Sequence, residues 1–567
     1  MVWRTRPLIT SIANIPNMRD DLAMDAPGTV KLIRNKTIDD GEPSTEQSCL
    51  VLIPPPTNSP NDPLNWSRVY KLWFTSILLL WAFLSNASIA WTSPAWAIWT
   101  ESLNTTYVLL NYGMALLLLT CGFGVMLLQP LAIKYGRRLP YLIGSVLILA
   151  GLAFGLNMTS INFFFAYMIL SGFGSAPSYS TIVTSLLDVA FLHEKGFYLG
   201  LYALVVALGN FLPPLAAGYI TDSQGWEWCF RYLLIFFGIS SLVVMFAAEE
   251  SSFARKAYTT SQSIISESAR HQGPDGAGVS SQSPDAKINA DLKPSNGIPS
   301  HALSDTTSRP PPLDSRLTYF QKLTLYRPDA DIPVGYWRLV FSMFELIVLP
   351  AASWVSLQLG ISSFVVSLVL TTQASFFSLP PYNFKPSQLG LMYIPLLIGN
   401  LLGSFWGGYF TDWMILRLAR RNDGVHEPEN RLWAYVPLPF VAAGGTLLYG
   451  VGADAGLHWT LPCLGLILIG FYLSASLPVA LGYALESYPE IENEIVQLSN
   501  FTRNVLGGAV TFCIQPWIDH NGGRDTTIII SVLVLVVNLT SIPFQIWGKT
   551  IRVRTTPAYY RLSGKSD

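Results

Sequence analysis

Charge is scarce in this sequence. Lys, Arg, Asp and Glu together make up 13% of its 567 residues, against about 25% in a typical soluble globular chain. Half of the residues are hydrophobic and mean hydropathy is +0.37, which points to a polytopic membrane protein. The formal net charge of −1 argues against a nucleic-acid partner. Cysteine is also scarce. Five residues, Cys49, Cys121, Cys229, Cys463 and Cys513, are scattered without short spacings, so neither a disulfide framework nor a thiolate metal site is expected. The six histidines are equally dispersed, which argues against a His-based metal centre. No His, Cys or carboxylate cluster of catalytic spacing occurs, so an enzyme is not expected. The sequence lacks a Gly-x-x-x-x-Gly-Lys-Ser/Thr loop, so ATP is not the evident energy source. No cofactor is implied. The first 60 residues lack an apolar core of signal-peptide length and read as a cytosolic tail.

Long apolar runs dominate what is present. A helix needs about 20 apolar residues to cross a bilayer. Six runs lie between Leu72 and Ala248, and further runs lie between Arg338 and Trp547. The run from Arg338 to Leu379 has about twice the required length and is compatible with one crossing or two. Two positive connections decide between them. Gln129-Pro-Leu-Ala-Ile-Lys-Tyr-Gly-Arg-Arg138 carries Lys134, Arg137 and Arg138, and the connection after Trp413 carries Arg417, Arg420, Arg421 and Arg431. Both should face the cytoplasm, which demands an even number of crossings between them. One crossing satisfies that demand, and twelve spans result. The expected fold is an all-α membrane protein of twelve transmembrane helices in two six-helix halves. Its parts are a cytosolic tail 1–71, an N-terminal half 72–248, a disordered cytosolic loop 249–337, a C-terminal half 338–548 and a cytosolic tail 549–567. Only Arg231, Lys385 and Arg524 of the Lys and Arg residues then fall on the outer side. Asn104-Thr-Thr106 in the first outer connection is a glycosylation triplet.

Several stretches resemble the major facilitator superfamily. Gln129 to Arg138 is similar to its Gly-x-x-x-Asp-Arg/Lys-x-Gly-Arg-Arg loop, keeping Lys134, Gly136, Arg137 and Arg138 but with Gln129 at the Gly and Ile133 at the Asp. Gly403 to Asp412, followed by Arg417, is a partial echo in the second half. The resemblance implies that both loops act as gate latches on the cytoplasmic side. Gly209-Asn-Phe-Leu-Pro-Pro-Leu-Ala-Ala-Gly218 resembles the antiporter signature Gly-x-x-x-Gly-Pro-x-x-Gly-Gly, with Pro213 and Ala217 replacing two glycines and Pro214 at the signature proline. Asn61 to Trp66, His193 to Gly196, Pro380 to Phe384, Glu427 to Trp433 and Gln515 to Asp519 are similar to a fungal branch of the twelve-span drug:proton antiporters. This implies a monomeric plasma- or vacuolar-membrane transporter of a small organic molecule, coupled to protons. The span-four arginine usual in that family is Met168 here, so coupling through it is in question.

Ionisable and amide groups inside spans are costly and therefore suspects for substrate or proton binding. They are Asp188, Glu345, Glu486 and Arg503, with Asn86, Asn111, Asn210, Gln358, Gln373, Asn400 and Asn504. Glu345 suits a cation or proton if it faces a wet cavity, or sits at headgroup level if its helix extends beyond the bilayer, with Pro350 marking a bend. Asp188 and Glu486 read as caps or partners of loop cations. Arg503 reads either as an ion-pair partner of Glu494 or Glu486, or as an anion or gate contact. Tyr179 follows the small-residue stretch Gly172 to Pro177 and offers an aromatic wall. Three functions remain open: export of a drug, toxin or secondary metabolite; uptake of organic cations or polyamines; and a transporter-like receptor signalling through 249–337.

Overall fold

The computed structural model describes residues 57–252 and 335–562 apart from 58, 192–193, 379 and 423–424, with short pieces at 27, 29–31, 33–35, 48–50, 318, 321 and 323. Most of the expected loop 249–337 lies outside the described residues, as does His193.

The first half is built of α1 (Arg68–Ala90), α2 (Trp96–Ser102), α3 (Tyr107–Lys134), α4 (Arg138–Leu156), α5 (Ile161–Tyr179), α6 (Thr181–Val189), α7 (Lys195–Gln224) and α8 (Glu227–Ala247). The second contains α9 (Tyr336–Glu345), α10 (Pro350–Ser378), α11 (Pro386–Leu391), α12 (Tyr393–Phe405), α13 (Thr411–Arg421), α14 (Leu438–Asp454), α15 (Thr460–Ser487), α16 (Glu492–Asn521), α17 (Gly523–Leu539) and α18 (Ser541–Leu562). Polar caps mark where apolar runs become helices. Ser67 accepts from the Tyr70 amide at 3.3 Å to start α1, and Thr106 starts α3 in the same way.

Among the described residues, ten helices are long and apolar enough to cross a membrane. The expected fourth and eleventh spans fall short for different reasons. The fourth is split: Pro177 lacks an amide hydrogen, α5 ends at Tyr179, and α6 restarts at Thr181. The eleventh, α16, has 30 residues, but its interior includes Asn500, Arg503 and Asn504, which dilute its hydropathy. The over-long run also resolves into two pieces. The short α9 ends at Glu345, a 3-10 turn covers Leu346–Val348, and Pro350 opens the 29-residue α10, consistent with proline's preference for a helix's first position. The last helix continues through the stretch expected as a tail, to Leu562.

The halves meet mainly where α3 packs on α16 and α7 packs on α12. Glycine permits these approaches. A Cβ at Gly508 would meet the Ala115 carbonyl at 3.0 Å, and one at Gly200 would meet the Gly408 Cα at 3.0 Å. Large apolar side chains such as Val69, Ile235, Phe246, Tyr409 and Ile546 remain exposed around the bundle, the arrangement expected of a surface solvated by lipid. Trp81, Trp91, Trp96 and Trp99 are instead buried and pack inside the first half.

Two small antiparallel ladders complete the described structure. Val30–Lys31 (β1) pairs with Val425–His426 (β4), and Ile33–Asn35 (β2) pairs with Ser48–Leu50 (β3).

Candidate functional site: a latch and an inter-half cluster

The polar residues gather in two places. The first is the face carrying residues 134–138, hereafter the latch face. Gly136 has φ +121°, a backbone conformation that favours glycine, and it turns the chain so that α4 begins immediately. The Glu250 carboxylate fills that corner: Oε1 accepts from the Arg137 amide at 2.8 Å and Oε2 from the Arg138 amide at 3.2 Å. Negative charge at a helix N-terminus is favourable. Arg137 Nε meets Asp188 Oδ2 at 3.2 Å, and its Nη2 reaches across to Asn493 Oδ1 of the second half at 3.0 Å. Arg138 donates to the Met245 and Leu323 carbonyls. Ile133 removes the carboxylate usual in this loop, and Glu250 and Asp188 bring carboxylates to the same cations.

The second half has its own latch centre. Glu486 Oε1 lies 2.5 Å from Arg431 Nη2, and its Oε2 lies 3.1 Å from His426 Nε2, all buried. Arg431 Nη2 is also 3.6 Å from Asp412 Oδ1. Asp412 faces the other half: its carboxylate accepts from the Phe197 backbone amide in the first turn of α7. Lys195, in the same turn, pairs with Glu492 at 2.5 Å. Helix α7 is thus seated by its N-terminus on carboxylates of the opposite half. Arg417 and Lys134 lie outside this core; the exposed Arg417 stacks on Trp413 at 5.2 Å and Lys134 on Tyr135 at 5.8 Å.

A Cβ at Gly196 would lie 1.9 Å from Asp412 Oδ1, too close for any methyl group. Gly196→Ala should therefore prop this contact open, and backbone amides in the first turn of α7 should undergo hydrogen exchange about tenfold faster. Equal exchange with and without Gly196→Ala would refute it.

The second cluster lies between the halves at the break in the fourth span. Tyr179 donates to Asn86 Oδ1 at 2.5 Å, and the Asn86 amide donates to Ser178 Oγ at 2.7 Å. Tyr202 donates to the Ser178 carbonyl at 2.9 Å, and the Asn210 side chain also bonds Tyr179. Gly209 lets α7 approach α1 here, since its Cβ would meet Asn86 Cβ at 2.9 Å. From the other half, the Arg503 guanidinium lies 5.3 Å from the Tyr179 ring centroid, a cation–π contact across the interface. Arg503 Nη1 is buried and has no hydrogen-bond partner among the described residues. Neither Glu486, bound to Arg431, nor Glu494 forms an ion pair with it. The ion-pair reading of Arg503 is thereby corrected.

Other expected residues are dispersed. Asn111 is 1% exposed, and both ends of its amide lack a partner among the described residues. Gln373 donates to the Leu389 carbonyl, but its Oε1 is likewise unpartnered. Gln358 is fully engaged within the second half, donating to the Val537 carbonyl and accepting from Tyr435, which also bonds Asn538. Asn504 donates to the Asn500 carbonyl of its own helix. Asn400 accepts from Ser474. Glu345 is exposed at the end of α9, where the 3-10 turn Leu346–Val348 follows. Asn104 is exposed with φ 48°.

On the face opposite the latch the halves also touch. Ser93 and Tyr393 hydroxyls are 2.8 Å apart, and Tyr393 stacks on Phe211. Gly390 lies against the Pro214 carbonyl, which gives the Pro213–Pro214 segment a cross-half contact. Cross-half contacts therefore exist both above and below the Arg503 cluster, as an occluded state of a rocking transporter would require.

Sequence reasoning missed Glu250, His426, Tyr202 and Asn493. Of these, Glu250 had a readable signal, since it is an acidic residue at an inner span end facing a loop with three cations.

Comparison with known proteins fits this geometry. The sequence profile of the Major Facilitator Superfamily matches residues 78–512. An MFS-type transporter of Schizosaccharomyces pombe is 29% identical over 552 residues, 95% of each chain. Protein HOL1 of Saccharomyces cerevisiae is 27% identical over 570 residues, covering 94% of this chain and 96% of that one. The MFS transporter cpaT of Aspergillus oryzae is 24% identical over 91% of this chain and 93% of its own. Among solved structures, the proton:xylose symporter XylE superposes with a TM-score of 0.55 at 15% identity, over 84% of this chain and 96% of that one. The human organic anion transporter MFSD10 gives 0.53 at 13% identity, over 83% and 99%. These structures share the fold. Two helical halves, polar contacts between them and a profile match running from the first span into the eleventh make this a multi-pass membrane transporter and not an enzyme, and the chain belongs to the major facilitator superfamily.

Proposed function

We propose that this protein is a secondary active transporter that exports a small organic molecule from the cytosol across the plasma membrane, in exchange for protons, through twelve spans. The observation that carries this reading is the Arg503–Tyr179 contact between the halves. It places an aromatic face, a guanidinium with a buried unpartnered nitrogen and the Asn86 amide beside a broken helix. Broken helices at such depth are tolerated where they line a binding site. The unpartnered Asn111 amide supports it too, because a buried amide without partners costs free energy unless a ligand or water completes it. The antiporter-like Gly209 to Gly218 segment supports export, since its glycine packs on Asn86 and its proline carbonyl on Gly390 of the opposite half. The latch face is the cytoplasmic one. Glu345, which would favour a cation in either direction, is exposed at the end of α9.

Metabolite profiling of cells with and without the gene tests this directly. Deletion should raise the intracellular level of at least one small organic compound and lower it in the medium. The opposite sign would make the protein an importer, and unchanged profiles across a broad panel would remove export altogether.

A further inference from the structure

The middle of the bundle holds a positive charge with no negative partner among the described residues. Arg503 is the twelfth residue of α16, which starts at Glu492. That is about three turns, or ~17 Å, along the helix, close to the middle of a ~30 Å hydrocarbon core. A side chain at that depth is too far from the headgroups to snorkel to them. None of the ion pairs among the described residues includes Arg503; they lie at the inner ends of the helices instead.

The surroundings of Arg503 are polar but uncharged. Across the half boundary its charge acts on Cys121, Tyr179 and Tyr202, a thiol and two phenols, groups that ordinarily titrate above neutral pH. Asn86 and Asn210 bond Tyr179. On its own helix, Asn500 and Asn504 donate to carbonyls one turn back. The Tyr179 ring, 5.3 Å away, offers a π face but no acceptor for the guanidinium, and Nη1 stays unpartnered. A charge at this depth is costly unless an opposite charge meets it. Arg503 is only half-buried, so space remains beside it.

We propose that the compound carried is an organic anion: a carboxylate, or an oxyanion of similar geometry, on an apolar body. The oxyanion pairs with Arg503, whose planar fork matches two carboxylate oxygens, and the body lies against the apolar walls of the two halves. This rests on the Arg503–Tyr179 cluster being the transport site, as proposed above, and holds for either direction of movement. The same charge selects against cations, because an ammonium would meet a guanidinium with no carboxylate in the cluster to offset the repulsion.

Equilibrium binding to the purified full chain in lipid nanodiscs, with binding to empty nanodiscs subtracted, tests the inference without a transport assay. The probes are 1-naphthoate and hexanoate, each compared with the amine of matching body, 1-naphthylmethylamine and hexylamine. At least one carboxylate should bind about tenfold or more tightly than its matched amine, the order expected of one charge-assisted contact. Arg503→Leu should reduce that preference to within about twofold; if this variant does not fold, Arg503→Gln is held to the same criterion. Three results would each overturn the inference: no binding of either carboxylate, amines bound as tightly as carboxylates, or a preference that survives the loss of Arg503. Metabolite profiling separates this inference from the export reading. An accumulated compound that is a cation or uncharged sinks the anion and keeps export, whereas unchanged profiles with anion binding intact sink export alone.

Discussion

Arg431→Met should destabilise the protein by about 3–5 kcal/mol, the range for removing one partner of a buried ion pair. Arg431 is 1% exposed, and it is the cation shared by Glu486 and Asp412. A methionine of similar length fills the space but leaves two carboxylates facing low-dielectric surroundings, and His426 reaches only Glu486. Thermal unfolding in detergent provides the measurement. The double variant Arg431→Met/Glu486→Gln should recover part of the loss, because it removes the more deeply buried of the two orphaned charges. A single variant as stable as wild type, or a double variant no better than the single, would show that Arg431 does not organise this centre.

Arg503→Leu should leave thermal stability close to that of wild type and lower transport by roughly 100-fold, the order expected when a positioning contact is lost from the place where two moving bodies meet the ligand. Arg503→Lys should not restore it. A lysine keeps the charge but lacks the planar group that lies against the Tyr179 ring and offers several fixed donors. Tyr179→Phe keeps the ring and loses only the hydroxyl's bonds to Asn86 and Asn210, so its effect should be smaller than that of either arginine variant. Efflux of the identified compound from cells or inside-out vesicles, normalised to protein level, gives the readout. Full activity in Arg503→Leu would remove this residue from the transport pathway.

The sequence made the architecture legible because crossing a bilayer imposes length and charge rules on every span. The positive connection 134–138 gave orientation, and the retained Gly136, Arg137 and Arg138 gave the family. Helix α16 shows where the same rules weaken, since a span that carries the polar groups of an interface looks less like a span the more it contributes there. Glu345 and Arg503 show the limit for single residues. Both were isolated charges in apolar runs, and their settings were separated by the 3-10 turn that follows Glu345 where α9 ends, and by Gly507 and Gly508, which let the other helix press against its neighbours. The contacts His426–Glu486 and Arg552–Glu429 were invisible because their members are 60 and 123 residues apart in sequence and meet only through tertiary packing.

The wide turn at Trp406–Phe410, a π-helical segment joining α12 to α13, has a mechanical consequence. In a regular α-helix every fourth residue advances by ~400°, so a stripe of such residues drifts ~40° per step around the axis. Ser404, Gly408 and Asp412 nevertheless all meet α7, at Gly200 and Gly196, while Gly399, Gly403 and Gly407 all meet α15. One wider turn takes out part of the drift and keeps both stripes straight. The eighth span therefore works as a ruled edge: one stripe is locked to its own half, and the other gives the opposite half a smooth, side-chain-poor rail along which it can tilt without unlocking the first.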